Sequence, residues 1–132
     1  MKVFIAGGTS GIGLALAERY LKQGASVAVC GRDLTKMEEI PFVDQLRCFE
    51  VDVCRLDDLQ DAVSSFCTDG PLSLFINCTG SYADDVARQI SYHEALAMLQ
   101  VNMMGTLNCF EVARAAMEGQ SEGQIVVVAS VS

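Results

Sequence analysis

Five short apolar runs, separated by segments of helical periodicity, constrain this 132-residue chain more than any other feature. The runs are KVFIA (2–6), SVAVC (26–30), LRCFEV (46–51), LSLFIN (72–77) and QIVVVAS (124–130). Continuous apolar runs of this length are typical of strands buried on both faces, as in a parallel sheet. Alternation of strands and helices with right-handed crossovers predicts an α/β fold of three layers, αβα. Its sheet is doubly wound and parallel, with strand order 3-2-1-4-5.

Segments of helical periodicity lie between these runs. Apolar residues recur at intervals of three and four in residues 12–21 and 56–66, which predicts one helix in each segment. Ser91 and Glu94 have the spacing of a capping box, which predicts the start of a longer helix running toward Met117. The apolar stripe along one face of that helix comprises Leu96, Leu99, Met103, Leu107 and Phe110.

Charge and hydropathy exclude several classes of partner. The formal net charge is −8 and the lysines and arginines are scattered along the chain, so the basic surface of a nucleic-acid-binding protein is missing. The opening MKVFIAGG is too short for the apolar core of a signal peptide, and no stretch reaches the length needed to span a bilayer. We therefore expect one cytoplasmic domain, residues 1–132, that contacts neither nucleic acid nor membrane.

The six cysteines, at positions 30, 48, 54, 67, 78 and 109, include no Cys-x-x-Cys pair. Most of them lie in or beside apolar segments, where a reduced cysteine packs as a small hydrophobic residue. We predict buried free thiols rather than disulfides or zinc ligands, and no metal site.

The segment GGTSGIG, residues 7–13, directly follows the first apolar run and opens the first helix. In that context Gly7 permits a tight turn, Gly11 leaves room for a pyrophosphate and Gly13 allows close packing of helix and strand. Amide groups at the start of the helix are then available to phosphate oxygens. The loop predicts a dinucleotide site, with an ordinary glycine-rich turn as the alternative. Its predicted contacts are Gly7, Thr9, Ser10, Gly11, Ile12 and Gly13.

The glycines have the spacing Gly-x-x-x-Gly-x-Gly, and further motifs follow in order along the chain. They are GRD (31–33), VDV (51–53), NCTG (77–80), VNMMGT (101–106) and ASVS (129–132). With these motifs the whole chain resembles the short-chain dehydrogenase/reductase family. The resemblance implies a Rossmann-like NAD(P)-binding domain. It also implies an oxidoreductase that transfers hydride between nicotinamide and a carbonyl or alcohol group of a small-molecule substrate.

The resemblance assigns roles to individual residues after the third and fourth runs. Asp52 and Val53 correspond to the pair that receives the adenine, and Asn77 and Gly80 to the segment under the cofactor's ribose. The alternative for Asp52 is a cap at the end of a strand. The family usually has Asn-Asn-Ala-Gly where this chain has NCTG, so two small substitutions alter that turn.

The residues after the second apolar run favour NADP over NAD. An acidic side chain there would accept hydrogen bonds from the ribose hydroxyls of NAD and repel a 2′-phosphate, whereas this chain has Gly31 followed by Arg32. A planar guanidinium suits a phosphate group. We predict NADP as the cofactor and Arg32 as a contact, with a surface arginine of no consequence as the alternative. Asp33 is expected to cap the segment that follows it.

The family's proton chemistry is carried by four residues. A serine polarises the substrate oxygen, a tyrosine exchanges the proton beside a lysine four residues later, and a helix asparagine helps to hold a relaying water. The resemblance assigns the serine to Ser130 and the asparagine to Asn102. No tyrosine of this sequence is followed four residues later by lysine. We therefore expect the chain to be the amino-terminal part of a longer reductase, lacking the last strands and helices of the fold and showing negligible turnover alone.

A dinucleotide-binding sensor or interaction module without catalysis is the alternative interpretation. Under either interpretation, the last strand would present an uncovered sheet edge and the long helix an uncovered apolar side. Both features predict self-association into a homo-oligomer.

Overall fold

The computed structural model describes residues 1–81 and 91–129 of the chain. Within these ranges the strands are β1 (Lys2–Ala6), β2 (Ser26–Gly31), β3 (Leu46–Glu50), β4 (Leu74–Asn77) and β5 (Gln124–Val127). They form one parallel sheet in the order β3-β2-β1-β4-β5, which confirms the predicted doubly wound topology. The chain thus has the Rossmann-like αβα architecture expected from its sequence.

Three strands, β3, β4 and β5, are shorter than the apolar runs that predicted them. Leu72 precedes β4 yet is completely buried, because its side chain packs in the core from the connecting loop. Val128 follows β5, and its amide still donates to the Asn77 carbonyl at 2.9 Å. Apolar character therefore extends past the residues that pair in the sheet.

The helices are α1 (Gly11–Lys22), α2 (Leu56–Phe66), α3 (Tyr92–Leu99) and α4 (Gly105–Met117). Two short 3₁₀ segments, Thr35–Glu39 and Val43–Gln45, connect β2 to β3. The capping box is confirmed, since the Glu94 amide donates to Ser91 Oγ at 3.1 Å and the Ser91 amide donates to Glu94 Oε2 at 3.0 Å. Donation from the Ser91 amide, and from the Ser91 hydroxyl at 2.8 Å, lowers the pKa of the Glu94 carboxyl.

The predicted long helix from Ser91 toward Met117 is confirmed, and it contains a π-helical turn, Gln100–Met104, between α3 and α4 that the sequence did not predict. The Gly105 amide closes this π-turn by donating to the Gln100 carbonyl. Gly105 packs so closely on Val53 that a Cβ there would lie 2.7 Å from Val53 Cγ2. The predicted apolar stripe points away from this packing, and its members are 41–56% exposed: Leu96, Leu99, Met103, Leu107 and Phe110.

Side chains on the two faces of the sheet form two separate apolar clusters. Phe4 and Phe75 pack with α2 and α4 on one face, their ring centroids 5.3 Å apart. Val3, Ile5 and Ile76 pack with α1 on the other face. Alternate residues of β1 and β4 thus belong to opposite faces, and both strands are buried throughout almost their whole length. This rigid centre holds the carboxyl ends of the strands, where the candidate site lies.

All six cysteines fall within the described ranges and are free thiols, as predicted, although only Cys30 and Cys109 are fully buried. Burial raises the pKa of each of these two thiols to about 12, so both stay protonated at neutral pH. Among the helices that the structure describes, none combines the length and the hydrophobicity needed to cross a bilayer.

Candidate functional site

A cleft of about 320 Å³ opens at the carboxyl ends of the strands. Its walls are the glycine loop (residues 7–13), the end of β2, the β3 turn (residues 51–54) and the β4 loop (residues 77–81). Doubly wound sheets bind ligands at this edge, where the order of the strands reverses. Every predicted cofactor contact except Asn77 lines the cleft: Gly7, Thr9, Ser10, Gly11, Ile12, Gly13, Arg32, Asp52, Val53 and Gly80.

The glycine loop has no room for a larger residue at three of its four glycines: Gly7, Gly8 and Gly13. Gly7 has φ +75°, and a Cβ there would lie 2.9 Å from the backbone of Cys78 and Thr79. A Cβ on Gly13 would overlap the carbonyl oxygen of Gly7. The amide of Gly7 donates to the Cys30 carbonyl at 3.0 Å, which fastens the loop to the end of β2. Contacts with Cys30, Cys78 and Thr79 therefore hold the loop in place.

Gly11 differs from the other three glycines of the loop because it faces open space. Its φ is +53°, and no described atom lies within 4 Å of the position that a Cβ would take. Ser10 precedes α1, but within the described part of the chain its side chain makes no capping hydrogen bond, and the first turn of α1 holds no acidic residue. The amide groups at this helix start are thus left for an anion.

The start of α1 contrasts with the starts of α2 and α3. The first turn of α2 contains Asp57 and Asp58, and α3 carries the Ser91–Glu94 capping box. Both arrangements place negative charge where a bound phosphate would lie. The start of α1 faces the cleft and, unlike the starts of α2 and α3, carries no acidic side chain. Its free amide groups therefore fit a dinucleotide pyrophosphate.

At the end of β2, Gly31 lies directly against the glycine loop. A Cβ on Gly31 would be 2.5 Å from Thr9 Oγ1, so a larger residue would displace the Thr9 side chain. Arg32 follows and lines the cleft. Asp33 does not extend into the cleft; its Oδ1 accepts hydrogen bonds from the Thr35 amide at 2.9 Å and hydroxyl at 2.7 Å, as a cap of the following segment.

The β3 turn combines a local cap with cleft-lining side chains. Asp52 Oδ1 accepts a hydrogen bond from the Cys54 amide at 2.9 Å, which is the strand-end role given above as its alternative. Asp52 and Val53 also line the cleft, so the cap holds the turn in a position facing the site. Burial and the nearby Asp52 raise the pKa of the Cys54 thiol, which keeps it neutral.

The β4 loop is built around Asn77, which lies beneath the cleft and is 1% exposed. Asn77 Oδ1 accepts hydrogen bonds from the Thr79 amide at 2.9 Å and the Thr79 hydroxyl at 2.6 Å. Asn77 Nδ2 donates to Thr106 Oγ1 at 3.1 Å. Asn77 thus shapes the loop from below, while Cys78, Thr79 and Gly80 form the surface of the cleft.

Asn102 lies in the π-turn and pairs with the far end of the β4 loop. Its Oδ1 accepts from the Ser81 amide and its Nδ2 donates to the Ser81 carbonyl, both at 2.7 Å. The asparagine side chain is therefore engaged in holding the loop. Ser130, the other predicted catalytic residue, lies outside the described residues.

Sequence reasoning missed several residues that line the cleft: Cys30, Gly31, Val51, Cys78, Thr79 and Val101. Four of them lie in the VDV, NCTG and VNMMGT motifs, whose roles were assigned to neighbouring residues: Val51, Cys78, Thr79 and Val101. Gly31 was treated as the absence of an acid, although its contact with Thr9 gives it a packing role of its own.

The family model described as short chain dehydrogenase matches residues 1–132. A 3-dehydrosphinganine reductase of Arabidopsis thaliana is 34% identical over 137 residues, covering 97% of this chain and 40% of that protein. An uncharacterized oxidoreductase of Staphylococcus aureus is 28% identical, covering 97% of this chain and 57% of that protein. The chain thus spans about half or less of the length of these curated relatives.

Solved structures give the same picture of the fold. ElxO with NADP bound superposes with a TM-score of 0.86 at 26% identity, covering 98% of this chain and 55% of that one. That structure, which shares this arrangement of strands and helices, has NADP bound.

Proposed function

The chain belongs to the short-chain dehydrogenase family, and we propose that it binds NADP as the cofactor-binding part of a reductase. In this proposal residues 1–132 form the dinucleotide-binding domain. The observation that carries it is the start of α1, which faces the cleft without a capping side chain or an acidic residue among the described residues. The NADP bound in the structurally similar ElxO supports the proposal.

Different loops of the cleft bind different parts of the cofactor. The glycine loop would hold the pyrophosphate through amides at the start of α1, the β3 turn the adenine, and the β4 loop the ribose on the nicotinamide side. NADP supplies the hydride when it is bound. The chain's own contribution is to bind and orient the cofactor from three fixed loops.

The substrate is a small molecule with a carbonyl or alcohol group, and we propose reduction of a carbonyl as the direction. The support is that the Arabidopsis relative is named as a reductase. Ser130 would polarise the substrate oxygen, and Asn102 would contribute to the proton relay while holding the β4 loop. The 132 residues contain no tyrosine followed four residues later by lysine, so this proton-transferring pair is not among them and turnover by them alone would be negligible. We place the chain in the cytoplasm, because six free thiols suit a reducing compartment.

Arg32 is the residue on which the preference for NADP depends. Arg32→Ala should lower the affinity for NADPH by about tenfold and leave the affinity for NADH unchanged, because only NADPH carries the 2′-phosphate that a guanidinium binds. Isothermal titration calorimetry with both cofactors measures the two affinities.

Arg114→Ala is the matched control, because Arg114 pairs with Glu111 on the surface of α4 and its removal changes the net charge equally. It should leave both affinities unchanged. An equal loss for NADH and NADPH in Arg32→Ala would argue against a 2′-phosphate contact, and tighter binding of NADH by the unsubstituted chain would assign NAD as the cofactor.

We further propose that the chain forms a homo-oligomer through the exposed apolar face of α3 and α4, the stripe of Leu96, Leu99, Met103, Leu107 and Phe110. An apolar surface of this continuity is unusual for a monomer.

The double substitution Leu99→Glu and Leu107→Glu should convert the oligomer to a monomer without unfolding it, as measured by light scattering after size-exclusion chromatography. Leu56→Glu, on a half-exposed leucine of α2, is the control. An unsubstituted chain that is monomeric at high concentration would contradict the proposal.

A further inference from the structure

Two residues in the first two turns of α4 contact the loops of the cleft from behind, and neither lines the cleft itself. Thr106 contacts the β4 loop through Asn77, and Asn108 contacts the β3 turn through Val53. Both side chains are partly buried. The short segment between the π-turn and the middle of α4 thus touches both loops that the proposed function assigns to opposite halves of the cofactor.

Thr106 is part of a chain of hydrogen bonds that joins Thr79 to Ser81, both in the β4 loop. Thr79 donates to Asn77 Oδ1, and Asn77 Nδ2 donates to Thr106 Oγ1 at 3.1 Å. The Thr106 hydroxyl then donates to the Asn102 carbonyl at 2.8 Å, and the Asn102 side chain returns to Ser81. A single hydroxyl group therefore joins the near end of the loop to the far end.

The Thr106 hydroxyl also bonds to a carbonyl of the π-turn, beside the backbone hydrogen bond that this turn shifts. In a regular α-helix a carbonyl accepts from the amide four residues later, whereas the π-turn shifts its closing hydrogen bond to five. The amide of Gly105 accordingly donates to Gln100. The hydroxyl of Thr106, four residues after Asn102, supplies a donor to the Asn102 carbonyl.

Asn108 anchors the other loop. Its Nδ2 donates to the Val53 carbonyl at 2.9 Å, across 55 residues of sequence. Two more contacts support the same loop: the Cys54 thiol donates to the Gln100 carbonyl of the π-turn at 3.4 Å, and Gly105, the first residue of α4, packs directly on Val53. The β3 turn therefore rests on the same segment that supports the β4 loop.

We propose that Thr106 and Asn108 are positioning residues, Thr106 for the nicotinamide-side half of the NADP site and Asn108 for the adenine-side half. The proposal rests on the proposed function, because it needs the two loops to hold different parts of one cofactor. Neither side chain touches the cofactor in this account. Each acts by fixing the loop that does.

The test compares NADPH with adenosine 2′,5′-bisphosphate, a probe that carries only the adenine-side half, using calorimetry on purified chain. Thr106→Val, which keeps the shape and removes the hydroxyl, should lower the affinity for NADPH by about tenfold and leave that for the bisphosphate unchanged. Thr106→Ser, which restores the hydroxyl, should recover NADPH binding. Asn108→Leu should lower the affinities for both molecules by the same factor.

Thr68→Val is the matched control: within the described residues its hydroxyl donates to the nearby Ser65 carbonyl on the surface, so its loss should change neither affinity. Equal losses of both ligands in Thr106→Val, no loss in it, or no recovery in Thr106→Ser would overturn the role of Thr106. Unchanged binding in Asn108→Leu would overturn that of Asn108. If Thr106→Val does not fold, Thr106→Ala takes its place, and failure of both to fold would assign Thr106 to stability instead. An unsubstituted chain that binds neither molecule would refute the proposed function, which is a different result from each of these.

Discussion

Gly13→Ala should lower the affinity for NADPH by about a hundredfold, the largest effect on binding expected from a single methyl group. The added carbon would overlap the Gly7 carbonyl oxygen, which is backbone and cannot swing aside. The loop that must move is itself fastened to Cys30 and packed on Cys78, so relief of the overlap displaces the amides that face the pyrophosphate. Loss of two charge-assisted hydrogen bonds is sufficient for an effect of about this size. Titration calorimetry with NADPH measures it.

Gly70→Ala is the matched control for this substitution. A Cβ on Gly70 would meet only the flexible end of Lys2, with Cε at 3.4 Å, and Gly70 lies outside the cleft. Its affinity for NADPH should equal that of the unsubstituted chain. If Gly13→Ala bound NADPH within about threefold of the unsubstituted chain, the glycine loop would not be the pyrophosphate site.

Asn77→Leu should reduce the free energy of unfolding by about 3 kcal/mol, the largest effect on stability among the changes considered. Leucine has a similar volume, but it leaves the Thr79 amide and hydroxyl without their acceptor and Thr106 Oγ1 without its donor, and a buried polar group left unpaired costs about 1–3 kcal/mol. The β4 loop would loosen with it, so binding of NADPH should weaken as well. Urea denaturation followed by circular dichroism measures the stability.

Gln45→Leu serves as the control for the loss of an amide, because Gln45 is exposed in the second 3₁₀ segment. Its effect should stay within about 0.5 kcal/mol, as is usual at the surface. A change of less than about 1 kcal/mol in Asn77→Leu would show that the hydrogen bonds at Asn77 are not what holds the β4 loop.

The features that the sequence predicted well are those whose cause is local. Strand order follows from the alternation of apolar runs with helical segments, and the capping box follows from two residues three positions apart. The glycine loop could be predicted for the same reason, since the three glycines of its motif and the flanking strand and helix are contiguous. Its contact with Gly31, in contrast, brings together residues from two strand ends.

The features that the sequence did not predict have causes distant along the chain. The π-turn accompanies the close packing of Gly105 on Val53, and the apolar stripe continues through it without a visible break. Thr106 and Asn108 contact residues 29 and 55 positions away, so neither could be assigned a role from spacing alone. Thr79 replaces the usual alanine of its motif, and only the structure shows that its hydroxyl adds a hydrogen bond to Asn77.

The central claim is that three separate loops of the cleft bind NADP. The most direct measurement is amide chemical-shift mapping by NMR as NADP⁺ is titrated into the isotope-labelled chain, whose mass of 14.2 kDa suits the method. We predict that the shifts concentrate in the glycine loop, at Gly31 and Arg32, in the β3 turn and in the β4 loop, with smaller shifts at Thr106 and Asn108. Absence of shifts at saturating NADP⁺, or shifts gathered on the exposed face of α3 and α4 instead, would contradict it.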